Sequence, residues 1–147
     1  MPQSFIDINS LFDESGFMKN ICQNILYALG RLFMGLMLAF GHGWGKLPPS
    51  ERFIEGVGAL GFPLPVIFAW AASLSEFGGA LLVAVGLYTR VGSFFVMFTM
   101  ATAAFLRHAG DPFQRKELAL VYLVSFLVFF AIGSGKYSLD SLLKGKK

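Results

Sequence analysis

Residues 66–88 read VIFAWAASLSEFGGALLVAVGLY and carry one charged side chain, Glu76. A helix needs about 20 predominantly apolar residues to cross the hydrocarbon core of a bilayer. Three further stretches, at about 21–41, 91–107 and 118–135, have the same apolar character. The sequence therefore predicts an all-α polytopic membrane protein built as a bundle of four transmembrane helices.

The composition supports a membrane protein and limits its chemistry. Of the 147 residues, 55% are hydrophobic and only 14% are charged, which lies outside the usual range for soluble domains. The remaining polar stretches are too short for a compact soluble domain, so a soluble catalytic domain would belong to a partner. The net charge of +3 is small and dispersed, and we expect no binding of nucleic acid. The single cysteine, Cys22, excludes an internal disulfide and a cysteine-based zinc or iron–sulfur site within this chain.

Three parts are expected along the chain. Residues 1–20 mix acidic and apolar side chains without an early basic cluster, which predicts an uncleaved segment at the membrane interface. Residues 21–143 form the four-helix membrane domain, and the basic tail 144–147 suits an anionic cytoplasmic leaflet. Between the first two spans, residues 50–60 have apolar side chains at helical spacing and are predicted to form a short interfacial helix.

The orientation follows from counting Lys and Arg on the two sides of a four-span topology. The side with both termini has six basic residues and the side with the longer loops has five. Since basic residues favour the cytoplasm, we expect cytoplasmic termini.

Two charged side chains lie in the middle of predicted spans. Arg31 and Glu76 each stand about eleven residues from the predicted start of their span. A charge at that depth is costly, about 2.5–3.5 kcal/mol on insertion scales, so each is a candidate functional residue. Their matched depth predicts a buried salt bridge, which serves either as a structural clamp between the helices or as the floor of a polar site.

A second group of polar residues is predicted at the loop side of the bundle. His42 follows Arg31 by eleven residues and so shares its direction on an unbroken helix. The topology brings other polar residues to the same surface. We expect these residues to relay protons or to bind an anion or a polar quinone head group, with no metal. The alternative is a set of ordinary interfacial residues that contact headgroups and water. The candidate ligand-binding residues are Arg31, Glu76, His42, Lys46, His108 and Glu117, with Asp111 nearby.

Over about residues 25–143 the chain resembles the DoxX family of small bacterial membrane proteins. The elements that carry the resemblance, in order, are Arg31-xxx-Gly35, His42-Gly43-xx-Lys46, Glu76-xx-Gly79, Gly86-Leu87-Tyr88-Thr89-Arg90, His108, Glu117 and Gly133-x-Gly135-xx-Ser138-Leu139-Asp140.

The resemblance implies a four-helix protein of the bacterial inner membrane. It further implies a group usually labelled oxidoreductase and related to the small subunits of thiosulfate:quinone oxidoreductase. If redox chemistry occurs, a quinone pocket lined by Arg31, Glu76, His42 and His108 is the expected site, with no covalently bound cofactor and with electrons supplied by a partner.

Three functions fit the residues. The first is a membrane component of a redox system, in which case the protein would be an oxidoreductase subunit. The second is a non-catalytic membrane anchor, chaperone or assembly module for a partner protein. The third is a small carrier for an anion or weak acid. The expected partners are the lipid bilayer, a soluble or membrane protein, and a second copy of the chain.

Overall fold

The computed structural model describes the backbone of residues 8–145 and the side chains of residues 19–145. Helices and their connections make up this whole range, and no strand occurs within it. The all-α prediction is therefore confirmed. Residues 1–7 of the expected interfacial segment and residues 146–147 of the expected basic tail lie outside the described residues.

Seven α-helices follow one another within residues 8–145. They are α1 Ile8–Leu38, α2 Glu51–Ala59, α3 Pro65–Leu74, α4 Ala80–Val85, α5 Thr89–Thr102, α6 Phe113–Ile132 and α7 Leu139–Lys144. Three π-helical turns continue these helices. The turn Ala39–Gly43 extends α1, Ser75–Gly79 joins α3 to α4, and Ala103–Arg107 extends α5.

In the part of the chain that the structure describes, three helical stretches are long and apolar enough to cross a membrane, namely Lys19–Lys46, Pro65–Val85 and Thr89–Arg107. The first extends beyond the predicted end near residue 41, because the π turn and a 3-10 turn, Trp44–Lys46, continue the helix through the glycine-rich segment. The predicted fourth span is not among them. Its helix, α6, has 20 residues but charged residues in its first turns, which leaves residues 118–132 uncharged.

Glycines set the register between α1 and the antiparallel α3–α4 helix. A Cβ on Gly35 would lie 2.7 Å from the backbone oxygen of Ala80, and a Cβ on Gly43 would lie 2.7 Å from the carbonyl carbon of Glu76. The α3–α4 helix also approaches α5 closely, since a Cβ on Gly92 would lie 2.7 Å from the Gly79 oxygen. These contacts show backbones packed closely enough that only glycine fits.

A compact core and an apolar exterior complete the fold. Buried side chains from α1, α4, α5 and α6 form the core, with Leu38, Val83, Val96, Met100, Tyr122, Phe126 and Phe129 among them. Large apolar side chains also cover the outside of α1, α3 and α5, including Leu26, Phe33, Phe40, Ile67, Phe94 and Phe98. Exposed apolar surface on this scale is typical of a protein that contacts lipid.

The chain after α6 folds back across the end of the bundle. The Tyr27 hydroxyl donates to the Gly133 carbonyl at 2.6 Å, and the Asp140 amide donates to the Gly86 carbonyl at 3.1 Å. Ser138 caps α7 by accepting from the Ser141 amide. This segment, residues 133–144, forms a C-terminal latch at the opposite end of α4 and α5 from the π turns.

Candidate functional site

A cavity of about 490 Å³ lies between α2, the α3 helix and α5, and it is partly open to the surroundings. Its walls are mainly aromatic and aliphatic. The aromatic residues that line it are Phe53, Phe62, Phe68, Phe95 and Phe98. Phe95 and Phe98 are each 54% exposed on α5, so the cavity adjoins the apolar exterior of the bundle. A lipophilic molecule fits such a space.

An ion pair forms the polar floor of the cavity. The Lys46 ammonium nitrogen lies 2.7 Å from both carboxylate oxygens of Glu76. The Glu76 side chain is 3% exposed and that of Lys46 is 36% exposed, so the carboxylate is the more deeply buried partner. The ammonium also lies 5.7 Å from the centre of the Phe53 ring, within cation–π distance.

Each of the three π turns contains or closely precedes a charged residue that lines the cavity. One of them holds Glu76, another leads directly into the 3-10 turn that ends at Lys46, and the third ends at Arg107, beside His108. A π turn adds one residue to a helical turn and redirects the side chains that follow, and such turns are frequent at functional sites. Here they turn charged side chains toward one cavity.

Two hydroxyl groups add hydrogen-bonding capacity between the floor and the wall on α5. The Thr99 oxygen lies 3.2 Å from the Ser75 oxygen and 3.1 Å from the Phe95 carbonyl. Since each hydroxyl carries one donor and two acceptor positions, the pair retains capacity for a ligand.

His108 lines the cavity as one half of a dyad. Its Nδ1 lies 2.7 Å from Oδ2 of Asp111, whose Oδ1 accepts a weaker bond from Arg115 at 3.5 Å. The hydrogen bond from His108 is the main reason why the pKa of Asp111 lies below its usual value, with the positive charge of Arg115 adding to it. A proton held on Nδ1 by the carboxylate leaves Nε2 as the acceptor of the neutral ring.

Two arginines complete the lining. Arg52 on α2 and Arg107 after α5 both border the cavity and are exposed. Among residues 19–145, neither guanidinium has a hydrogen-bonding or ion-pair partner. The cavity is therefore apolar within and positively charged at its edge.

The predicted salt bridge between Arg31 and Glu76 is wrong. Arg31 is 2% exposed and donates to the carbonyls of Val83 and Tyr137, the second at 2.9 Å. The depth argument failed because the glycine contacts place Gly43, rather than Arg31, opposite Glu76. Gly43, in the π turn that extends α1, follows Arg31 by twelve positions, which is roughly 18 Å along a helix at 1.5 Å per residue.

Arg31 instead fastens the C-terminal latch to the end of α4. Val83 lies two residues before the last residue of α4, and its carbonyl also accepts from the Gly86 amide at 3.1 Å. Carbonyls at the C-terminal end of a helix favour a cation. This position suits a structural role, and Arg31 does not line the cavity.

Two other predicted site residues also lie away from the cavity. His42 lies in the π turn Ala39–Gly43, so the unbroken α-helix that the prediction assumed ends before it. Its ring packs 5.9 Å from that of Tyr122, and it does not line the cavity. Glu117 is exposed on α6. The structure thus brings Glu76, Lys46 and His108 together and separates them from Arg31, His42 and Glu117.

Sequence reasoning missed the contribution of α2. Arg52, Phe53 and Val57 line the cavity from this short helix, which had been expected only to lie at the interface. The signal was present, because Ser50 caps the helix through the Phe53 amide and the apolar residues that follow share one face.

Comparison with known proteins identifies the family. The match to the DoxX family covers residues 26–109, which is more than half of the chain. The chain belongs to the DoxX family. The matched range includes Lys46, Glu76 and His108, the three predicted site residues that line the cavity. It does not include α6 or the C-terminal latch.

Two relatives of this chain come from Escherichia coli. Inner membrane protein YqjF is 34% identical over 114 residues, which are 71% of this chain and 82% of the relative. Inner membrane protein YphA is 26% identical over 125 residues, or 79% of this chain and 89% of the relative. A protein of Haemophilus influenzae is 36% identical over 106 residues, or 63% and 76% of the two chains. No solved structure matches the chain. The protein is thus an integral membrane protein of the DoxX family, with relatives in the bacterial inner membrane.

Proposed function

We propose that this DoxX-family protein is the membrane component of a redox system and that its cavity binds a quinone. The observation that carries the proposal is the cavity of about 490 Å³ with an aromatic wall and a buried Lys46–Glu76 pair at its floor. That volume is within the range of small-molecule sites, which are mostly apolar with a few placed polar groups.

The donors of the cavity match the chemistry of a quinone ring. Quinone carbonyls accept hydrogen bonds and cannot donate them. The Lys46 ammonium has three N–H groups, and two of them serve the two oxygens of Glu76, so the third is available to a ligand carbonyl. The Thr99 and Ser75 hydroxyls offer a further donor.

The hydrophobic part of a quinone also has a place. Phenylalanine rings flank the cavity and favour an aromatic head group by stacking. The isoprenoid tail would leave between α3 and α5, beside Phe95 and Phe98, and enter lipid. A quinone held in this way would accept electrons from a soluble or membrane partner protein, and that partner would oxidise the substrate that supplies them.

The proposed topology uses α6 as a fourth span. The helix packs antiparallel to α5 in the bundle. Its last 15 residues, 118–132, carry no charge and are mainly apolar. On this topology α2 lies at the interface and both termini are cytoplasmic. Green fluorescent protein fused after Lys147 should then be fluorescent, and alkaline phosphatase fused at the same position should be inactive. The reverse pattern would contradict the orientation.

A matched pair of aromatic substitutions tests the quinone site. Phe94 and Phe98 are each 54% exposed on α5, but only Phe98 lines the cavity. We expect Phe98→Leu to weaken binding of a short-chain ubiquinone analogue about two- to tenfold, since an aromatic contact contributes about 0.5–1.5 kcal/mol. Phe94→Leu should bind like the wild type.

The measurement is calorimetric titration of the protein in nanodiscs, with empty nanodiscs subtracted. Saturable binding that is sensitive to Phe98 and insensitive to Phe94 supports the proposal. Absence of saturable binding, or equal effects of both substitutions, would contradict it and favour a non-catalytic anchor or assembly module, in which the Lys46–Glu76 pair is a structural clamp.

A further inference from the structure

We infer that the edge of the cavity binds the acidic ring hydroxyl of a quinol or hydroxyquinone as an oxyanion, held by Arg52 and Arg107, while His108 takes up the proton. This inference rests on the proposed quinone site and names the ionic form in which the ligand is held. It also connects two of the functions that fit the sequence, a redox component and a weak-acid carrier, because a quinol-type ligand is itself a lipophilic weak acid.

The charges around the cavity leave two positive groups uncompensated. The lining contains the cations Lys46, Arg52 and Arg107 and one carboxylate, Glu76, which gives a surplus of two. Both oxygens of Glu76 are taken by Lys46. A neutral quinone needs a donor at each carbonyl and gains little from two further guanidinium groups, whereas an oxyanion forms strong charge-assisted hydrogen bonds with them.

The dyad supplies the base. Oδ2 of Asp111 lies 2.7 Å from Nδ1 of His108, and an ionised carboxylate there favours the tautomer with its proton on Nδ1 and Nε2 as the acceptor. His108 lines the same cavity as both arginines. In the proposed step the O–H bond of the ligand breaks and an N–H bond forms at Nε2. The ligand becomes an oxyanion and the ring becomes an imidazolium that Asp111 stabilises. No electron moves in this step, and the total charge is unchanged.

The other charged groups near His108 favour the same step. Arg107 precedes it, Arg52 faces the cavity from α2, and the Lys46–Glu76 pair is neutral as a unit. From the start of α6, Arg115 contacts Asp111 and the Lys116 ammonium contacts the Ala109 carbonyl at 3.2 Å. Glu117 is exposed and outside the cavity lining. Two further carboxylates on α2, Glu51 and Glu55, are exposed and also lie outside the lining. The charged groups that line the cavity therefore carry a net positive charge, which favours an oxyanion.

An alkylated 2-hydroxy-1,4-naphthoquinone is the probe for the anionic form, because its deprotonation changes its visible absorbance. With protein in nanodiscs of zwitterionic lipid, we expect binding to lower the apparent pKa of the probe by about one unit, which corresponds to a tenfold preference for the anion. Arg107→Gln and Arg52→Gln should each reduce this shift. Arg90→Gln, at an exposed arginine near the latch, should leave it unchanged. An unshifted probe, or equal effects of all three substitutions, would overturn the inference.

A second measurement isolates the role of His108. Titrations of the probe anion near neutral pH, in buffers of different ionisation enthalpy, report the protons taken up from solvent on binding. We expect the wild type to take up protons, because an imidazolium at His108 pairs with the bound oxyanion, and His108→Gln to take up close to none. Absence of uptake by the wild type, or equal uptake by His108→Gln, would overturn the assignment of His108.

Two further arms separate the sources of failure. A ubiquinone analogue without an acidic hydroxyl tests the quinone site alone; if it binds while the hydroxyquinone shows no shift, the inference fails and the proposed function stands. If neither binds, the proposed function fails as well. An anionic phospholipid offers the same head-group charge, so displacement of the probe by phosphatidylglycerol would assign the arginines to lipid and overturn the inference.

Discussion

The substitution Lys46→Met should destabilise the protein more than any other change in the ion pair. It leaves the Glu76 carboxylate, which is 3% exposed, without its counter-charge. Removing one partner of a buried pair costs about 3–5 kcal/mol in soluble proteins, because the remaining charge is desolvated and unpaired. For a chain of this size, that loss lowers the melting temperature by roughly 6–20 °C.

The reverse substitution should cost less, and the asymmetry follows from the exposures. After Glu76→Gln, the Lys46 ammonium is 36% exposed and reaches water through its flexible stem, while the glutamine still offers one acceptor. We expect a loss of about 1–2 kcal/mol. The double variant Lys46→Met/Glu76→Gln should be more stable than Lys46→Met alone, since no charge is then left buried.

The assay is thermal unfolding in detergent followed by circular dichroism, at low and high salt. Lys116→Met is the matched control, because its ammonium bonds a loop carbonyl at the same end of the molecule, and it should cost less than about 1 kcal/mol. The reasoning is refuted if Lys46→Met melts with the wild type, or if Glu76→Gln is the more damaging of the two single changes.

Three further predictions follow from packing and charge. Gly43→Ala should lower the melting temperature because the new Cβ would lie under 3.0 Å from the facing backbone, whereas Gly41→Ala, with nothing within 4 Å, should not. Arg31→Met should cost about 1.5–3 kcal/mol and expose the C-terminal latch to limited proteolysis without weakening quinone binding, as it lies outside the cavity. The lowered pKa of Asp111 means that its contact with His108 stabilises the fold above the ordinary value of 3.8 and is lost as the pH falls through the lower folded-state value. The difference in melting temperature between wild type and Asp111→Asn should accordingly be present at neutral pH and vanish in acid below that value.

Hydropathy was enough to predict the class of fold because a bilayer permits few structures. Backbone groups in lipid must bond within the chain, so apolar stretches of this length are helical. The short helix between the first two spans was also predicted, from apolar spacing after Ser50, and it is α2. The extent of the first span was underestimated, since glycines that weaken an α-helix are accommodated in the π turn and the 3-10 turn that follow it.

The site was harder to predict because it depends on register. Counting residues from the ends of two spans matched Arg31 with Glu76, but the depth at which helices meet is set by where backbones approach, at Gly35 and Gly43. The π turns add a second shift that no local pattern in the sequence indicates. Glu76 and Lys46 were both identified as candidates, yet only the packed structure pairs them.

The cavity as a quinone site is tested most directly by locating a bound quinone. Photolabelling of the protein in nanodiscs with an azidoquinone, followed by peptide mass spectrometry, reports which residues lie against the head group. We predict labelling within α2 and within residues 95–108, and its loss when excess unlabelled quinone is added. Labelling confined to the lipid-facing residues of α1, or labelling that excess quinone does not displace, would contradict the account.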